Sequence, residues 1–61
     1  MTALERLNVL AGQLPIWVQE DIRIRVGDWM TSGGGADDPY IYQQLGFAKN
    51  VIRSDENARN G

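Results

Sequence analysis

The chain contains no cysteine and no histidine, and its six cationic side chains are outnumbered by eight carboxylates. Without cysteine there is no disulfide and no thiolate ligand, and without histidine any zinc would have to be held by carboxylates alone. Histidine and cysteine catalysis are excluded, and Ser32 or Ser54 as a nucleophile would have no histidine base. A net charge of −2 argues against a protein built to neutralise phosphates, since nucleic-acid binders usually carry a basic domain or stripe. No apolar run is long enough for a membrane span, and the N-terminus lacks the basic-then-apolar pattern of a signal peptide. The expected location is therefore intracellular, in the cytoplasm.

Hydrophobic residues make up 43% and charged residues 23% of the 61 positions, which is ordinary globular usage. At this length one domain is expected, and a core below about 70 residues rarely supplies more than roughly 3–5 kcal/mol without a disulfide, a metal or a second subunit. A disulfide is missing, and so are the usual thiolate and imidazole ligands of a structural metal. Self-association or docking on a protein partner is the remaining one, unless three well-made helices suffice unaided.

Thr2-Ala3-Leu4-Glu5 is a capping-box pattern and starts a first helix, which runs from about Ala3 to Ala11. Leu4, Leu7, Leu10, Ala11 and Leu14 share one arc, and Gly12 followed by Pro15 marks the stop. Pro15 suits the first position of a second helix extending to about Met30. Its core stripe is Val18, Ile22, Val26 and Trp29, and Asp21 is spaced to pair with Arg25. Ile22 to Val26 also alternates as a half-buried strand would, but the helical stripe is longer and no partner strand exists. Thr31-Ser32-Gly33-Gly34-Gly35-Ala36 reads as a mobile hinge, because consecutive glycines are the costliest residues to order. Asp38 as N-cap and Pro39 at the first helical position then start a third helix, with Asp37 and Asp38 both near its positive end. Ile41, Leu45, Ala48 and Ile52 form its core stripe as far as about Arg53. The expected fold is thus all-α, a three-helix domain over residues 1–53. From Ser54 to Gly61 little can be buried, and a frayed or disordered tail is expected.

The triple glycine does not make a phosphate loop, since no lysine with serine or threonine follows and two aspartates occupy the helix start. Asp28, Asp37 and Asp38 read as caps and solvated charges rather than a catalytic pair, and they lack the spacing of a calcium loop. No enzyme activity, metal or cofactor is expected. More informative is apolar surface outside the core stripes. Trp17 and Ile24 lie opposite Val18, Ile22 and Val26, while Tyr40, Phe47 and Val51 widen the stripe of the third helix. These five side chains are either additional core or a protein-contact surface, which includes the possibility of a homodimer. An alternative nucleic-acid face is formed by Tyr42, Lys49, Asn50 and Arg53 on the third helix. The acidic balance weighs against it, as does the length of the Thr31–Asp38 connection, too long for a helix-turn-helix.

Gly27-Asp28-Trp29-Met30, Ser32-Gly33-Gly34, Asp37-Asp38-Pro39-Tyr40-Ile41 and Gln43-Gln44-Leu45 resemble a family of short uncharacterised proteins from phages and prophages of Gram-positive bacteria. The resemblance covers the second and third helices and carries no known activity or catalytic residue. It implies a phage-related accessory protein acting inside a bacterial cell through contact with another macromolecule.

Overall fold

The computed structural model describes the backbone of residues 1–60 and the side chains of residues 1–58. Three helices, α1 (Ala3–Ala11), α2 (Ile16–Thr31) and α3 (Pro39–Asn60), make up the domain, and no strand occurs among the described residues. The Ile22–Val26 alternation therefore resolves as helix. α1 starts on the Thr2 capping box: the Glu5 amide donates to Thr2 Oγ1 at 3.2 Å, and the Thr2 amide donates to Glu5 Oε1 at 3.0 Å. It ends at Gly12 as C-cap, in ordinary right-handed backbone.

α2 begins one residue later than expected. Pro15 is its N-cap rather than its first helical residue, with an extended ψ of 147°, and the Pro15 carbonyl accepts the first helical bonds from Val18 and Gln19. The Gln19 side chain secures this corner by donating to the Leu14 carbonyl at 2.9 Å.

The glycine-rich connection was expected to be a hinge, and its geometry is that of a clasp. Gly33 has φ +93°, its amide donates to the Met30 carbonyl, and the Gly34 amide donates to the Trp29 carbonyl. This pair of bonds is a Schellman motif, which requires a left-handed residue at the Gly33 position. Gly34 is needed for a different reason: a Cβ there would stand 2.0 Å from Cε2 of Trp29. The Trp29 ring lies under the loop, donates from Nε1 to the Gly35 carbonyl at 3.0 Å, and stacks on Tyr40 with centroids 4.8 Å apart. The entropy cost of three glycines is thus met by a turn folded onto an indole.

α3 opens at Pro39 with Asp38 as expected, the Tyr40 amide donating to Asp38 Oδ1 at 3.0 Å. Asp37 accepts from no backbone amide of this helix. Its Oδ1 accepts from the Ala3 amide at 2.9 Å, and the neighbouring Ala36 carbonyl accepts from the Leu4 amide, so the loop satisfies two first-turn amides of α1 that the Thr2 box leaves open. The end of α3 also differs from expectation, continuing past Arg53 to Asn60 because no glycine or proline interrupts the sequence between them. Of the expected tail, Gly61 lies outside the described residues.

The core comprises Ala3, Leu7, Leu14, Val18, Ile22, Ile41, Leu45 and Ala48. α1 packs most closely on α3, and Leu4, Leu10, Val26, Trp29, Tyr40, Val51 and Ile52 close over its margin. Each helix contributes the centre of the stripe its spacing implied, Ala11 of the first arc stays outside the core, and Ala3, whose amide is bonded to Asp37, is buried in addition.

Candidate functional site: the outer face of the second helix

Exposed apolar side chains gather on α2. Ile16 is 67% exposed, Trp17 69% and Ile24 64%, away from the buried Val18 and Ile22 of the same helix, and Met30, 40% exposed, lies on the other flank nearer the buried side. A helix with apolar residues on both sides is expected to be covered on both sides. Among the described residues only one side is covered.

The five residues expected to form core or contact surface separate into two groups. Tyr40 and Val51 are half-buried and pack against the core, so they belong to the fold. Trp17 and Ile24, seven residues apart on one face of α2, remain open to solvent. Phe47 is intermediate in role: it is 39% exposed on α3, and the Arg25 guanidinium lies 6.0 Å from its ring centroid. Arg25 is also paired with Asp21 at 3.0 Å, as the sequence implied, so this edge already has its charges matched.

Beside the outer face of α2 runs a groove of about 290 Å³ between α1 and α2. Leu4, Leu7, Ala11, Ile22 and Val26 form its apolar walls, with Arg23 and Gly27 at the α2 rim. The groove exists because α1 follows α3 more closely than it follows α2. Its lining offers no carboxylate and no nucleophile, so it suits an apolar side chain rather than a reacting substrate. No group of three or more potential metal ligands occurs among the described residues.

The alternative face on α3 is Tyr42, Lys49, Asn50 and Arg53, all exposed. Tyr42 is already engaged, donating its hydroxyl to Asp37 Oδ1 at 2.9 Å. The Ala3 amide, then the Tyr42 hydroxyl, hold the Asp37 carboxyl below its ordinary pKa, and the same bond to Asp37 raises the Tyr42 phenol. Tyr42 is therefore a strut in the loop that caps α1, which leaves two cations and an amide on that face.

One buried polar residue escaped the sequence reading. Gln44 is 8% exposed and its Oε1 has no hydrogen-bond partner. It stands one turn from both Tyr40 and Phe47, and the available signal was a glutamine interrupting the stripe Ile41, Leu45, Ala48.

The fold defines a small all-α domain in which, among the described residues, no helix is long and apolar enough to cross a membrane. The chain belongs to a family of unknown function, DUF6877, which matches residues 1–53. No curated protein and no solved structure matches it.

Proposed function

We propose that the chain is a non-enzymatic docking module that works by binding another protein surface through the outer face of α2. The observation that carries this reading is that Ile16, Trp17, Ile24 and Met30 are exposed together on one helix, whereas the other exposed large apolar side chains, Met1, Val9, Tyr42 and Phe47, are scattered over the rest of the chain. Grouped apolar side chains that include a tryptophan are typical of binding hot spots. The adjoining groove adds shape to the surface, and its lining favours packing over chemistry. The resemblance to short phage and prophage proteins supports an accessory role inside a bacterial cell.

A photo-crosslinking residue placed at Ile24, with Asn50 on α3 as the comparison site, tests this in bacterial cells producing the full chain. Protein adducts at position 24 and none at position 50 are expected. Adducts to nucleic acid at position 50, with nothing at position 24, would replace the docking reading with the nucleic-acid one.

A further inference from the structure

The outer face of α2 has an internal order that identifies what covers it. Ile16, Glu20, Arg23 and Gly27 follow one another at spacings of four, three and four residues, which places them in a single seam of the kind that packs one helix against another. All four are exposed. Asp21 and Arg25 on the neighbouring face are paired with each other, whereas Glu20 and Arg23 have no ion pair among the described residues. A Cβ added at Gly27 would meet nothing within 4 Å, so the fold itself does not require a glycine there. A glycine in a helix interior is less stable than alanine, and close approach of another backbone or a large side chain is one reason to keep it.

We propose that the occupant is a second copy of this chain, joined through an antiparallel pairing of the two α2 helices. This rests on the docking reading above and specifies its partner. Reversing the seam against itself sets Glu20 of one copy against Arg23 of the other, twice, and sets the large Ile16 of each copy against the missing side chain of Gly27. A parallel pairing does the opposite, placing Glu20 on Glu20, Arg23 on Arg23, and leaving a gap between facing glycines. Charge and volume therefore both select the antiparallel arrangement. Its two-fold axis lies between Glu20 and Arg23 and closes the assembly as a dimer. That axis keeps like flanks on the same side, so Trp17 and Ile24 of the two copies meet on one side of the seam, and Gln19 and Met30 on the side of the groove.

Sedimentation equilibrium of the full chain over a wide concentration range, at low and high salt, tests the pairing. The wild type is expected to dimerise and to remain dimeric at high salt, because apolar contacts carry most of the interface. Glu20→Arg and Arg23→Glu each bring like charges together and are expected to weaken the dimer on the order of tenfold or more. The double variant Glu20→Arg/Arg23→Glu restores complementarity in both directions and is expected to return to within about threefold of wild type. Gly27→Gln blocks the Ile16 seat and weakens the dimer with helicity intact, whereas Gly46→Gln, on the outer side of α3, leaves it unchanged. A dimer indifferent to the single charge reversals, or not rescued by the double one, overturns the register. A wild type that stays monomeric up to about 1 mM, the limit of meaningful affinity, overturns self-pairing altogether. Crosslinks from position 24 to a different protein would then still uphold the docking reading, and their absence would remove both.

Discussion

α2 and α3 use their apolar residues in opposite ways. α3 directs Ile41, Leu45 and Ala48 inward and packs Tyr40, Val51 and Ile52 at the margin, leaving mainly polar residues outside. α2 buries only Val18 and Ile22 fully, and carries Ile16, Trp17, Ile24 and Met30 on exposed positions. A helix whose stability comes from one face tolerates a polar opposite face. A helix apolar on both faces is half satisfied by its own chain, and the unsatisfied half is where a partner gains the most. The difference separates residues that make the fold from residues available for contact.

The largest effect should come from putting the same charge on each of the two surfaces. Leu45 is 3% exposed, so Leu45→Asp places an unpaired carboxylate in the core and should cost about 4 kcal/mol or more, enough to unfold a domain of this size. In dilute, monomeric protein Ile24→Asp should leave helicity and melting nearly unchanged, within about 0.5 kcal/mol, as at other exposed positions. Circular dichroism on both variants is sufficient, and equal losses would erase the distinction between the helices.

The clasp that joins the two helices ranks next. Gly34→Ala drives a methyl into the Trp29 ring and should destabilise by about 1–3 kcal/mol, the usual range for overpacking. Near-ultraviolet dichroism should report the disturbed stack of Trp29 on Tyr40, and an unchanged spectrum and melting point would mean the loop is not seated on the indole.

The smallest effect concerns acid. Asp37 is exposed, and its carboxyl is held below the ordinary value chiefly by the bond from the Ala3 amide. Because the folded pKa is the lower one, its contribution is complete above the unfolded value and is lost as the pH falls through the folded value. Wild type should therefore lose a little stability below about pH 4, and Asp37→Ala should flatten that part of the profile. A variant with the same acid limb as wild type would show that Asp37 does not cap α1.

Signals carried by adjacent residues were legible in the sequence. The Thr2–Glu5 capping box and the Asp38-Pro39 start were read in place, and so were the centres of the three core stripes, though Leu4, Leu10, Val26, Trp29 and Ile52 are only partly buried and Ala11 lies outside the core. What could not be read depends on residues far apart in the chain. Asp37 next to Asp38 looks like a second cap for α3, and only the fold brings it to Ala3, 34 residues away. Three successive glycines look mobile until Trp29 is placed beneath them. The same limit applied to the candidate surface. Tyr40, Val51, Trp17 and Ile24 all lie outside the ideal stripes, and it took the neighbouring helix to assign the first two to the core and leave the last two exposed.

The central claim is that the outer face of α2 serves contact rather than folding. Urea unfolding of Trp17→Ser beside wild type, followed by circular dichroism at dilute and at concentrated protein, tests it most directly. The two proteins should unfold alike when dilute, and only the wild type should gain stability as its concentration rises, since association stabilises the folded state by mass action. If Trp17→Ser is destabilised equally at both concentrations by the 3–5 kcal/mol typical of a large core side chain, Trp17 belongs to the fold and the claim is wrong.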